Sequence, residues 1–309
     1  MTNGEILESQ FRQLGLPVHF VKEEIFFKLV IYYFDMENVA RFSQKSIENM
    51  LKKISIYNQW DYNYYPTHET HFAVSTQAVG NPKIDLAEIG RGAVGLEMGK
   101  GDFYFDWNSV KHLLVAGTTG AGKSVFLNSF IYSILTNFDY KLGVFIVDLK
   151  KVGFTYWVNK GCKVYTEMPQ IEQFLKDACY EMEQRYTKLA KNPSLELQPL
   201  FIIIDELADL MLNKKYKCEE YIIRLAQKSR GANMHLVLAT QRPTVNVVNG
   251  LIKANCDTRV CLKVASVRDS VVMLDHKGAE LLNGNGDCLI KLPNDFKEKR
   301  VQIAYHEWA

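Results

Sequence analysis

The chain has 309 residues, 47% of them hydrophobic and 23% charged, with a formal net charge of +2. That balance excludes a chain dominated by disorder and supplies apolar side chains for one large core or two modest ones. A near-neutral average also excludes a uniformly basic nucleic-acid coat, so any surface that tracks phosphates has to be a local patch.

Six cysteines, Cys162, Cys179, Cys218, Cys256, Cys261 and Cys288, occur without C-x-x-C pairs or histidines at zinc-finger spacing, and read as reduced, buried thiols. The opening Met-Thr-Asn-Gly-Glu has neither a basic nor an apolar leader region, and the run at residues 25–34 is interrupted by Lys28 and too short to cross a bilayer. The expectation is a cytoplasmic protein with no membrane span of its own, recruited to a membrane only through partners.

In chain order, residues 1–95 read as a small α/β module, with helical spacing of apolar residues at 6–16 and 39–56 and strand-like patterning at 20–34. The aromatic segment at 60–72 could stack bases, although such clusters more often fill a core. His68 and His71 within it lack an evident third metal ligand and read as surface histidines. Gly90-Arg-Gly92 and Gly99-Lys-Gly101 read as turns at a boundary, which is placed at 95/96, with a second domain over 96–309.

In that second domain short apolar runs alternate with amphipathic stretches, the pattern of a mostly parallel sheet with helices on both faces. The expected parallel strands are 112–116, 143–148, 200–205, 235–240 and 259–264, with 287–292 and 300–304 closing the sheet antiparallel. Residues 169–191 and 216–230 read as helices, the first ended by Asn192-Pro-Ser194.

The segment Gly117-Thr-Thr-Gly-Ala-Gly-Lys-Ser124 fits G-x-x-x-x-G-K-[ST], entered from an apolar strand and followed by an amphipathic helix. Backbone N–H groups of Gly117, Thr118, Thr119, Gly120, Ala121 and Gly122 are expected to curl around the phosphates of a nucleotide, with Lys123 on the outer phosphates and Ser124 on Mg²⁺. Leu200-Phe-Ile-Ile-Ile-Asp-Glu206 is an apolar strand that ends in two acids at the edge where such sheets hold ligands. Asp205 is the expected partner of Mg²⁺, and Glu206 the group that orients and deprotonates an attacking water. After the next strand comes Ala239-Thr-Gln-Arg-Pro243, where the Gln241 amide can sense the γ-phosphate and Arg242 can serve phosphate or a neighbouring subunit.

Taken together these stretches resemble the FtsK/SpoIIIE DNA translocases. The resemblance rests on residues 112–124, on Ile204-Asp-Glu-Leu-Ala-Asp209 and on Ser229-Arg-Gly-Ala-Asn-Met-His235 running into Ala239-Thr-Gln-Arg-Pro243. It continues through 250–255, Thr258-Arg-Val260, Asp269-Ser270, Leu274-Asp275, Gly278-Ala-Glu280 and Gly284-Asn-Gly-Asp287. It implies a RecA-like P-loop ATPase that forms a ring, usually a hexamer, with double-stranded DNA in its channel and ATP at subunit boundaries.

Such a boundary site implies an arginine supplied in trans. Arg259 is the candidate, with Arg230 and Arg242 as competitors and a structural ion pair as the plain alternative for Arg259. Lys150, Lys151, Lys228 and Arg230 are candidates for gripping DNA phosphates without reading bases. The membrane spans and the winged-helix reader of larger members are not expected from this sequence. Compact relatives belong to conjugative elements and plasmids, which implies DNA transfer or mobile-element replication, with a relaxase or membrane transfer-channel proteins as partners. Alternatives are a coupling or secretion ATPase with a protein cargo, and a nucleotide-switched replication accessory protein.

Overall fold

The computed structural model of the protein describes residues 3–26, 29–36, 45–47, 49–51, 54, 61–68, 71–77, 85–97, 101–106, 110–138, 142–293, 295 and 298–307. The chain divides into two compact units, the first of residues 1–83 with 98–101, the second of residues 84–97 with 102–309.

In the first unit, helix α1 (Asn3–Gln13) is followed by strands β1 (Val18–Phe26), β2 (Leu29–Met36), β3 (Asp61–His68) and β4 (His71–Gln77). These strands form an antiparallel sheet in the order β1-β2-β4-β3. Alternation puts Tyr32 and Phe34 on one face of β2, where they meet Leu7 and Phe11 of α1 with Leu16, Val18, Ile47, Leu51 and Ile54 in one core. The helical spacing expected at 6–16 and the extended pattern expected at 20–34 are found in α1, β1 and β2, whereas most of the 39–56 stretch lies outside the described residues. The side chains of the 60–72 aromatic segment, His68 and His71 included, lie outside the described residues, as do residues 98–100.

The second unit is built on a ten-stranded sheet that starts with β5 (Gly95–Glu97), β6 (Gly101–Phe103), β7 (Leu113–Ala116) and helix α2 (Lys123–Asn137). Strand β8 (Gly143–Val147), α3 (Thr155–Val158), β9 (Lys163–Tyr165), α4 (Met168–Lys191), β10 (Leu200–Ile204), α5 (Leu207–Met211) and α6 (Cys218–Lys228) follow. Strand β11 (Met234–Thr240), α7 (Gly250–Asn255), β12 (Thr258–Leu262), α8 (Val267–Leu274), β13 (Asp287–Lys291) and β14 (Lys299–Ile303) complete it. The order is β6-β5-β14-β13-β12-β7-β11-β10-β8-β9. Strands β9, β8, β10, β11, β7 and β12 run parallel, whereas β13, β14 and β5 are paired antiparallel.

This is the expected mostly parallel sheet with an antiparallel closure, extended on its closing side by β5. Because Gly95 and Glu97 pair with Ile303 and Val301, residues 84–97 go with the sheet, and the division falls at 83/84 rather than 95/96. Strand β10 is buried along its whole length, since both sheet faces are covered. Phe201 and Ile203 face a core with Phe126, Phe130 and Ile134 of α2, while Leu200, Ile202 and Ile204 face Ile171, Leu175 and Met182 of α4. All six cysteines are buried free thiols. Among the described residues no helix is long and apolar enough to cross a membrane.

Candidate active site

Strands β7, β11, β10 and β8 are neighbours and parallel, so their carboxyl ends open on one edge, the side of an α/β sheet that holds ligands. From β7 the chain enters the phosphate loop, where Gly120 (φ 79°) and Gly122 (φ 101°) take left-handed conformations that a side chain would resist. The structure narrows the expected cradle, because three of its N–H groups donate within the protein. Gly117 N donates to Thr240 O (3.2 Å), Thr118 N to Lys263 O (2.9 Å) and Ala121 N to Thr118 O (3.0 Å). The N–H groups of Thr119, Gly120 and Gly122, with that of Lys123 at the start of α2, are the ones left to face an anion.

Lys123 is 4% exposed, and its Nζ donates to Asp205 Oδ1 at 2.6 Å and to the Asp205 backbone carbonyl. The ammonium expected on the outer phosphates thus sits on the carboxylate expected on the metal. Asp205 Oδ2 faces a second cation, Lys150 Nζ, at 3.8 Å. Next to it on the chain, Glu206 is held from two sides: Thr240 Oγ1 donates to Oε1 (2.6 Å), and Gln241 N donates to Oε1 (3.2 Å) and Oε2 (3.1 Å). Gln241 Oε1 in turn accepts from Thr119 Oγ1 at 3.2 Å, which ties the phosphate loop to the strand that holds Glu206. Lys123, Asp205, Glu206 and Gln241 are therefore brought together, and Thr240 joins them as a residue that the sequence reading missed. A small hydroxyl residue ahead of Gln241 at a strand end was its only signal.

A second missed feature clasps the loop from outside. Gly286 N donates to Ala121 O (2.8 Å) and Asn285 N to Gly120 O (3.3 Å). The clasping turn has left-handed Gly284, Asn285 and Gly286 in succession. It is anchored by Arg300, whose guanidinium donates to both Asp287 oxygens (2.9 and 2.6 Å), and by Gln302 Nε2 on Asn285 O (2.8 Å). On the other side, Asn128 of α2 donates from Nδ2 to Ser124 O (2.8 Å) and accepts from Trp157 Nε1 (2.5 Å).

Mg²⁺ favours hard oxygen ligands and keeps most of its shell as water and phosphate, so one hydroxyl and one carboxylate suffice on the protein side. The exposed Ser124 at the start of α2 and Asp205 at the end of β10 are a donor set of that kind. Among the described residues no cluster of three or more His, Cys, Asp or Glu could hold a metal by itself.

Of the remaining candidates, Arg242 follows Gln241 at this edge, its N donating to Thr240 Oγ1 (3.0 Å), whereas Arg259 and Arg230 lie at the opposite one. Arg259 begins β12, at the opposite edge, and is 11% exposed, with Nη1 on Asp275 Oδ2 (2.6 Å) and Met273 O (3.1 Å). Asp275 also meets Lys253 (2.7 Å) and Lys291 (3.4 Å). Burial opposes its charge, but the bonds from Lys253 and Arg259 outweigh that and hold the carboxyl well below the usual carboxylate range. Arg242 is exposed. Arg230 is 57% exposed and 3.5 Å from Asp257.

The four DNA candidates separate likewise. Lys150 and Lys151 follow β8 at the carboxyl edge, while the exposed Lys228 and Arg230 precede β11 at the amino edge. Lys151 pairs with Glu167. Also at the amino edge, burial pushes His112 down to about 3 and His235 to about 4, so both imidazoles are neutral. His112 Nδ1 accepts from Leu236 N (3.0 Å), and His235 bonds Lys111 O (3.0 Å).

The family model for FtsK/SpoIIIE matches residues 85–194 and 189–245. The DNA translocase FtsK of Leptospira interrogans is 40% identical over 248 residues, covering 72% of this chain and 26% of that protein. The DNA translocase FtsK of Chlamydia trachomatis is 38% identical over 232 residues, covering 66% of this chain and 29% of that protein. The chain thus spans about a quarter of the length of the curated relatives it matches. Among solved structures, the pCW3 conjugation coupling protein TcpA, in its monomer form with ATPγS, superposes with a TM-score of 0.67 at 23% identity, covering 97% of this chain and 94% of that one.

Proposed function

The chain belongs to the FtsK/SpoIIIE family, and we propose that it hydrolyses ATP to drive double-stranded DNA through a ring of its own subunits. The observation that carries the reading is the meeting of four strand ends in one network: the phosphate loop after β7, Asp205 and Glu206 after β10, Gln241 after β11 and Lys150 after β8.

The loop N–H groups and the start of α2 bind the triphosphate, and Lys123 offsets its outer charge. Asp205 and Ser124 would hold Mg²⁺, which neutralises charge as it develops on the phosphate oxygens. Glu206, oriented by Thr240 Oγ1 and Gln241 N, takes the proton of the attacking water. Gln241, bonded to Thr119, reports the state of the phosphate loop along β11.

A cation from a neighbouring subunit completes the site in this proposal. Arg259 serves only if it leaves Asp275, whereas Arg230 and Arg242 are already exposed. The fold shared with a conjugation coupling protein over nearly the whole chain favours transfer of a mobile element's DNA, with a relaxase or membrane channel as partner. The test is ATP hydrolysis by the purified chain with and without duplex DNA, beside Glu206→Gln. Stimulation by duplex, lost in the variant while ATP binding persists, supports the reading. Hydrolysis that ignores DNA across a range of salt overturns it.

A further inference from the structure

Strand β8 ends beside β10: Val147 pairs with Ile204, and Asp205 N donates to Val147 O at 3.1 Å. The turn that follows is not loose. Asp148, 1% exposed, accepts from Lys150 N (3.0 Å) and Lys151 N (3.1 Å) on Oδ1 and from Gly153 N (3.0 Å) on Oδ2. One buried carboxylate thus fixes the backbone of the whole turn, and Lys151 takes a left-handed φ of 64°. The two adjacent lysines are sent apart in consequence. Lys151 pairs with Glu167, while Lys150 Nζ comes to 3.8 Å from Asp205 Oδ2, on the carboxylate that Lys123 holds by its other oxygen.

Resting on the ATPase reading above, we infer that Lys150 is a second cation of the nucleotide site, supplied by the same chain and directed at the terminal phosphate, rather than a lysine that grips DNA. Asp205 is 4% exposed, so a lysine that reaches it is already inside the site. Lys123 arrives from the β7 side and Lys150 from the β8 side, so the two ammoniums flank the acid from opposite directions. A triphosphate carries more charge than a diphosphate, and it carries the extra charge on the terminal group. A cation opposed to Lys123 across Asp205 therefore discriminates between the two nucleotides. Asp148 is the positioning residue, because it holds the turn from which Lys150 projects.

The experiment is equilibrium binding of fluorescent ATP and ADP analogues, without DNA, to the wild-type full chain, Lys150→Ala and Lys150→Arg. Lys150 is 47% exposed, so its truncation leaves the fold intact. A charge-assisted contact of ordinary strength corresponds to roughly tenfold in affinity. Lys150→Ala is expected to lose about that factor for the triphosphate and under about threefold for the diphosphate, with Lys150→Arg restoring most of the difference. The inference is overturned if Lys150→Ala binds both nucleotides as the wild type does, above all if its affinity for duplex DNA falls and the salt slope drops by about one unit. A wild-type chain that binds neither nucleotide overturns the ATPase reading and this inference with it, so the two failures are told apart by the wild type alone.

Discussion

Replacing Gly122 with alanine, and Gly284 with alanine beside it, separates two demands that the phosphate loop makes on its glycines. Both have positive φ, 101° at Gly122 and 84° at Gly284, so each substitution pays a left-handed backbone penalty of about 1–2 kcal/mol. They differ in surroundings. A Cβ at Gly284 meets nothing closer than 3.8 Å, whereas at Gly122 it lands 2.5 Å from Gly286 N and 2.8 Å from Gly286 Cα. These are backbone atoms, so the clasp has to move away and give up the bonds from Gly286 N to Ala121 O and from Asn285 N to Gly120 O. At about 1 kcal/mol for each bond, Gly122→Ala should cost about 3–4 kcal/mol against about 1–2 for Gly284→Ala. Urea unfolding of the two variants measures the difference, and binding of an ATP analogue should weaken mainly in Gly122→Ala. Equal destabilisation by the two substitutions would refute the claim that the 284–286 turn braces the phosphate loop.

Three other outcomes follow from the same geometry. Removing the anchor of the clasp with Arg300→Met leaves Asp287, 3% exposed, without its cation; the cost should be about 3 kcal/mol, near the lower end for broken buried pairs, and thermal unfolding with and without Asp287→Asn checks it. His112 and His235 have folded-state values depressed to about 3 and about 4, so their neutral burial contributes fully above the unfolded value near 6.5 and is lost as pH falls below it. Stability should decline by up to roughly 2.7 kcal/mol per pH unit near pH 5; a urea midpoint that does not move between pH 7.5 and 5 contradicts this. Thr240→Val removes the hydroxyl on Glu206 and should lower the hydrolysis rate about tenfold or more with little change in ATP affinity, read from kcat and equilibrium binding separately.

Much of this was legible in the sequence because the decisive signals are local. A loop of fixed glycine spacing between an apolar strand and a helix, and the fully apolar Leu200–Ile204 ending in Asp205 and Glu206, each specify their own geometry. What escaped notice depends on residues far apart in the chain. The contact of Thr119 with Gln241 spans 122 positions and that of Thr118 with Lys263 spans 145, so no window of sequence contains them. The strand at Gly95–Glu97 is not legible in the sequence, because its three residues carry no period of their own and acquire one only by pairing with Lys299–Ile303. Lys150 and Lys151 looked alike as neighbouring charges. Only the buried Asp148 and the left-handed Lys151 send one toward Asp205 and the other toward Glu167.

The most direct measurement of the central claim is displacement of a third strand bound to duplex DNA ahead of the protein. If hydrolysis at the edge formed by β7, β11, β10 and β8 moves DNA, the strand is released only with ATP, later as the starting distance grows, and not at all by Glu206→Gln. Steady ATP turnover with the third strand left in place at every distance would contradict the account.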